Sequence, residues 1–273
     1  ARLVERSTRR LSVTEVGEAF YLRCRAVLDD MAEAEEEVAL SSSSPSGTLR
    51  VTASLSLMTQ HVARVLAQFN RKYPKIKIQL IAANRYYDIT DNDIDVAIRT
   101  REYEPDSSLI VRRLASTRRV LAASPAYIQR FGAPSHPDEL SKHAYLGYSY
   151  HSPYVLVFEK DGHSVTTSTA PIIEANDGQI AKTAAVAGAG ILAQPIYVIY
   201  DELIAGRLVP IMTDWTLPEM FISLVYRRRK LIPAKTRAFL DFISEEFRNN
   251  RYEAMWEAAL TKAHGKAGTR RKR

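Results

Sequence analysis

Between Thr14 and Leu40 the chain places apolar or small residues at Gly17, Phe20, Cys24, Val27, Met31, Ala34 and Val38. The gaps alternate strictly between three and four residues, the period of a heptad seam, which a helix lying on its own domain has no need to keep. This spacing predicts one continuous helix over 14–40. The other faces hold Asp29, Asp30, Glu33, Glu35, Glu36 and Glu37, side chains suited to water. Phe20, Cys24, Val27, Met31, Ala34 and Val38 are therefore candidate dimerisation residues, with the same helix of a second copy as their cover. Ser12 and Thr14 are both plausible N-caps, and Ser12 with Glu15 has capping-box spacing.

The flanks constrain the helix further. Leu3–Arg6 and Leu11–Val13 read as two short strands joined by a basic turn, Ser7-Thr8-Arg9-Arg10. A two-stranded ribbon is marginal alone, so it must lean on another element. After the helix, SSSSPSG at 41–47 is a flexible linker ending in a helix breaker. From Thr48 the pattern changes. Strands are expected at 49–53, 77–83 and 95–100, with a helix around 57–72 and a strand pair within 109–124. A second unit follows, with a strand near Tyr148, a hairpin across Asp161–Gly162, a strand at 171–176, a helix from Gly178 and a short strand at 191–195. The strand FISLVYR and the helix after Pro233 resemble the first unit again. Strands alternating with helices imply a largely parallel, twisted sheet. The predicted layout is α/β, with subdomain I formed by 48–123 and 221–247 and subdomain II by 124–220. Two crossings between them make a hinge, with a ligand-sized cleft between lobes.

Composition narrows the class. Hydrophobic residues at 46% with 25% charged residues are ordinary for a chain with a real core. The single cysteine, Cys24, excludes a disulfide framework and fits a reducing, cytoplasmic setting. The most apolar run, 183–200, is broken by Gln194–Pro195 and reads as buried helix, turn and strand, so no membrane span is expected. The net charge of +7 sits at the ends. Residues 262–273 carry six Lys/Arg and no acid, and the first ten residues carry four Arg. The basic tail, 248–273, reads as a solvated segment, with nonspecific nucleic-acid contact as the alternative.

No pattern argues for catalysis. Gly188-Ala189-Gly190 follows a helix and precedes a strand, the reverse of a dinucleotide fingerprint. Asp91, Asp93 and Asp95 echo a calcium loop, but Val96 stands where its glycine is required. GYSYH at 147–151 lacks the closing glycine of a nucleophile elbow. The six histidines show no metal-ligand spacing. Neither an enzyme, a cofactor nor a metal is expected. What remains is polar chemistry at strand ends: Ser54-Leu55-Ser56 opening a helix, Thr100, Asn176 with Asp177, and Gln194–Pro195. In a hinged two-lobed fold these converge on one cleft, and the first group can hold a carboxylate on backbone N–H groups and hydroxyls.

With these residues in view, the chain resembles the LysR-type transcriptional regulators from residue 1 to about 247. The resemblance rests on RSTRRLSVTEVGEAFY, SGTLRVTASLSL, LAQFNRKYPKIKIQL, DIDVAIRT, the long run from Pro105 to Leu140, AAVAGAGILAQP, DELIAGRLVPIM and PAKTRAFLDFI, all in order. It implies a winged helix-turn-helix, a linker helix that dimerises and a two-lobed, periplasmic-binding-protein-like effector domain. Residues 1–13 would be the remnant of the wing and 14–40 the linker helix. Arg6, Ser7, Thr8, Arg9 and Arg10 would contact the DNA backbone, while base reading would need the helix-turn-helix that this sequence lacks. The resemblance places the effector pocket at Ser54, Leu55, Ser56, Thr100, Tyr148, Asn176, Gln194 and Pro195. Arg101 stands where the family usually has glycine and adds a cation, so with Arg99 it points to a small, anionic organic acid as effector. Expected partners are double-stranded DNA, that effector, and further copies in a homodimer or homotetramer. A freestanding solute-binding protein of the same fold is the alternative, which the heptad helix and basic hairpin disfavour.

Overall fold

The computed structural model describes residues 1–6, 11–39, 45–84, 89, 94–149, 155–229 and 231–270. At 25, 26, 29, 30, 32–39 and 264–270 it describes the backbone alone. Of the wing residues, Ser7, Thr8, Arg9 and Arg10 lie outside the described residues, as does most of the serine linker.

The strands β1 (Val4–Arg6) and β2 (Leu11–Val13) pair antiparallel, and α1 (Glu15–Ala39) follows at once. The support that the hairpin needs comes from this helix. Thr14 N donates to Leu3 O at 3.1 Å, and the Thr14 hydroxyl donates to Arg2 O at 2.8 Å. That hydroxyl also accepts from Gly17 N at 3.0 Å, so Thr14 caps α1. Ser12 instead pairs with Glu5 inside β2, and the capping-box expectation fails because the strand holds that residue. Gly17, expected in the seam, serves the hairpin: a Cβ there would overlap the Leu3 carbonyl. Phe20, Val27 and Met31 are 53, 65 and 60% exposed. Cys24 is half-buried, and Ala34 and Val38 lie on α1.

The lobes begin with β3 (Gly47–Ala53), which runs into α2 (Leu55–Leu57), a π turn at Met58–Val62 and α3 (Ala63–Lys72). Next come β4 (Ile76–Ala82), β5 (Val96–Arg101) and β6 (Leu109–Ala123). The segment expected as a strand pair is thus one continuous strand. The chain continues through α4 (Pro125–Phe131), a 3-10 turn at Pro137–Lys142, β7 (Tyr145–Tyr148), β8 (Val155–Lys160), β9 (His163–Ser168) and β10 (Pro171–Ala175). It then forms α5 (Gly178–Val186), β11 (Ile191–Pro195), α6 (Ile196–Ala205), β12 (Val209–Pro210), β13 (Glu219–Arg227) and α7 (Ala234–Asn250). The turn between β8 and β9 holds Asp161 at φ 50° and Gly162 at φ 78°, the left-handed pair of a tight hairpin.

One sheet spans both lobes, in the order β10-β7-β11-β6-β13-β5-β3-β4 with β12 also on β6. Along β6 the partner changes. Residues from Leu109 to Arg118 pair with β13, whereas Arg119 to Ala122 pair with β11. The strand therefore crosses from one lobe to the other without losing its hydrogen bonds. A bulge opposite Ile222 and Ser223 adds twist just before the crossing.

The last element overturns an expectation. Residues 252–270 of the segment expected as a solvated tail form the helix α8 (Tyr252–Arg270), and its first three turns are packed on the lobes; Arg271, Lys272 and Arg273 lie outside the described residues. Arg251, at φ 47°, turns the chain back, and Trp256, Ala259, Leu260 and Ala263 are buried at helical spacing. Charge at the far end of the helix masks this stripe in a reading by composition.

Against α8 stands His61, on the π turn. Its ring lies 4.7 Å from Tyr252, 5.5 Å from Trp256, 5.7 Å from Phe247 and 6.1 Å from Tyr197, centroid to centroid. Neither ring nitrogen has a hydrogen-bond partner among the described residues. Burial, helped by Arg64, lowers its pKa from 6.5 to about 4. Below pH 6.5 the unfolded chain takes up a proton that the folded ring refuses, so this site loses stability as pH falls toward 4. Comparing His61→Phe with the parent isolates the effect. In urea melts the parent should lose ~2 kcal/mol relative to the variant between pH 7 and pH 5. An unchanged gap would mean that the ring is protonated in the fold.

Candidate functional site

Three helical N-termini face one another across the gap between lobes. In the first lobe Ser54 follows β3 and caps α2, its hydroxyl accepting from Leu57 N at 3.3 Å. In the second, Asp177 caps α5, its carboxylate accepting from Gln179 N at 2.6 Å. Pro195 ends β11 and opens α6. Parallel strands ending on helix N-termini put polar groups at one edge of the sheet, where α/β folds take ligands.

Direct hydrogen bonds between described residues join these edges. Gln179 Nε2 donates to Ser56 Oγ at 2.9 Å, and Asn84 Nδ2 donates to Asp177 Oδ2 at 2.7 Å. Gln60 Nε2 donates to Val198 O at 3.3 Å, and the Thr100 and Tyr197 hydroxyls lie 3.2 Å apart in a buried pair. Asn84 also accepts from Leu55 N at 3.2 Å, so its amide spans both lobes. Amide side chains thus tie the two edges of the cleft together.

The expected pocket residues divide. Ser54, Leu55, Ser56 and Thr100 all border this closure. Gln194 is buried behind it, against Gly178 at the start of α5. Asn176 points to solvent, and the neighbouring Asp177 makes the contact instead. Tyr148, half-buried, ends β7 beside Ala175 of β10. Arg101 is elsewhere. Side chains alternate along β5, so Val96, Ile98 and Thr100 face the main core and cleft while Arg99 and Arg101 face the other side. There Glu104 takes both guanidiniums, at 2.8 Å from Arg99 and 2.9 Å from Arg101. These cations line a separate cavity of about 260 Å³ with Arg113 and Phe221. Asn84, Gln179 and Tyr197 were not anticipated. Only Asp177, an N-cap residue ahead of an apolar run, left a signal in the sequence.

Comparison with known proteins shows the family. Residues 42–248 match the family described as LysR substrate binding domain. The chain belongs to the LysR-type transcriptional regulators. An HTH-type transcriptional regulator of Xanthomonas campestris pv. campestris is 33% identical over 248 residues, covering 89% of this chain and 72% of that protein. The structure of the Vibrio cholerae virulence activator AphB superposes with a TM-score of 0.69 at 30% identity, covering 89% of this chain and 83% of that one. CrgA of Neisseria meningitidis gives 0.68 at 29% identity, covering 90% and 84%. The family match ends at 248, so α8 lies beyond it. Among the described residues no helix is long and apolar enough to cross a membrane, and no group of His, Cys, Asp or Glu has metal-site geometry.

In this LysR-type chain the Asn84–Asp177 bond gives a sharp test of closure. Asn84→Asp places two carboxylates in contact and should cost about 1–3 kcal/mol in a denaturant melt at pH 7. Adding Asp177→Asn, which still caps α5, should restore most of the loss. Failure of the second change to rescue the first would show that the lobes do not meet there.

Proposed function

We propose that this regulator binds a small organic acid between its lobes and that binding resets their closure, and with it the spacing of subunits on DNA. The observation that carries the reading is the amide closure itself. Leu55 N–H and Ser56 Oγ, at the start of a helical run, are occupied by Asn84 and Gln179. A carboxylate can take over those positions, helped by the helix dipole. Asp177, released from Asn84, would then accept from a hydroxyl or amino group at the ligand's other end. The favoured effector is therefore a carboxylic acid that also carries a hydrogen-bond donor. Arg99 and Arg101, both taken by Glu104, no longer argue for the acid.

On this reading the cleft performs no chemistry; among the described residues it presents no nucleophile poised beside a base. Ligand binding acts by favouring one lobe arrangement over another. The hairpin, with Arg6 at its edge, lies against DNA backbone, as the wing residues Ser7, Thr8, Arg9 and Arg10 would. Dimers form through α1, where Leu28 (65% exposed) and Tyr21 (55% exposed) widen the apolar face beyond Phe20, Val27 and Met31. Contacts between effector lobes would build tetramers, and the protein works in the cytoplasm. A freestanding solute-binding role has no use for the hairpin-capped helix.

Two experiments separate these statements. Thermal-shift screening against hydroxy and amino carboxylic acids should yield ligands that raise the melting temperature of the parent. At a hundredfold excess over Kd, binding adds about 2.7 kcal/mol. Ser56→Leu should abolish that shift, and an undiminished shift would move the site elsewhere. For assembly, Val27→Asp with Met31→Asp should convert dimers to monomers in sedimentation velocity while leaving the lobes folded. Dimers that persist would refute the α1 seam.

A further inference from the structure

The segment beyond the family match is placed where it can control the cleft. Its helix α8 touches both lobes and the strand between them. On the first-lobe side, Tyr252 and Trp256 pack on His61 of the π turn, which lies five residues after Ser56 on the same helical run. Toward the second lobe, Trp256 lies 5.9 Å from the Tyr197 ring, and the buried face of α8 packs on α6. Between them, Glu257 grips Arg118 with two hydrogen bonds, at 2.8 and 3.2 Å, and Glu253 accepts from Ser116 N. Ser116 to Arg118 are the last β6 residues paired with β13 before the strand changes lobes.

From α8 the path to the pocket is one side chain long. Tyr197 carries Trp256 against its ring and presents its hydroxyl to Thr100, on the cleft edge. We propose that α8 is a strap that ties the two lobes in their closed arrangement, with Trp256 the positioning residue that sets Tyr197 against Thr100. The strap supplies two things that the two-lobed fold does not. It adds a bonded clamp at the point where β6 passes between lobes, so rotation there must break the Arg118–Glu257 pair or carry α8 along. It also sets a buried indole behind Tyr197, which restricts the rotamer of that ring. Effector binding that alters lobe closure must then move α8, and anything that holds or removes α8 must alter effector affinity to the same degree.

The effector role of the cleft rests on the preceding section, whereas the strap itself does not. The test is therefore made without ligand, by amide hydrogen exchange on the full chain. Trp256→Ala should accelerate exchange at least tenfold at residues 55–60, 99–101 and 178–181, across the closure. Exchange in β3 and β4 should stay at parent rates. Acceleration confined to α8 and 116–118 would overturn the strap and leave the cleft reading untouched.

A cavity behind Tyr197 can unfold the chain, so a surface variant runs beside it. Glu257→Arg opposes Arg118 without emptying the core and should produce the same pattern. The charge-swapped pair Arg118→Glu with Glu257→Arg should return it toward the parent, and no recovery would count against the clamp. In a Tyr197→Phe background, Trp256→Ala should no longer change exchange at 99–101, because its link to Thr100 is already cut. An equal change in both backgrounds would show general loosening and refute the positioning role.

Discussion

The arrangement of the whole molecule depends on one uninterrupted strand. β6 gives its first part to β13 and its last part to β11, so the lobes share a hydrogen-bonded backbone rather than a loose linker. A strand in a ladder resists bending within the sheet but tolerates twist. Such a ladder allows one lobe to rotate against the other about this strand. Asn84, Gln60, Gln179 and Tyr197 join the lobes at the helix ends that such a rotation would separate.

The helix after Thr14 and the alternation of strands and helices from Thr48 onward could be read from periodicity. Heptad spacing and β alternation are local signals, set by residues that see one another along the chain. The pocket was legible only in outline. Ser54 to Ser56 and Thr100 announce themselves as polar residues at strand ends, and both border the closure. Asn84 and Gln179 do not, because an amide on a loop acquires meaning only when another lobe arrives opposite it. Arg101 could have been placed correctly from its parity with Thr100. The attraction of a cation for an acid outweighed the simpler fact that adjacent strand residues face opposite ways.

Two further departures have a common cause. The segment 109–124, expected as a strand pair, is one strand because β13 and β11 pair with it in succession, and Asp241 and Glu257 meet Arg112 and Arg118 from the helices beside it. The charge after 261 makes the whole segment look like a solvated tail, yet residues 252–263 carry a buried stripe at helical spacing. Charged positions and the apolar positions beside them follow separate patterns. A lysine or arginine says little about its backbone when its stem can lie on apolar surface with its head in water.

The docking of Leu3 on Gly17 carries a mechanical consequence. Because the hairpin rests in a notch that a single methyl group would fill, it cannot slide around α1 without striking the next side chain. Its angular position about the helix axis is thereby indexed to the heptad face one turn further on. Torque applied along α1 from the lobe end would reach the hairpin through this contact, as through a keyed shaft. A glycine that reads like a weak position in a coiled coil is the key.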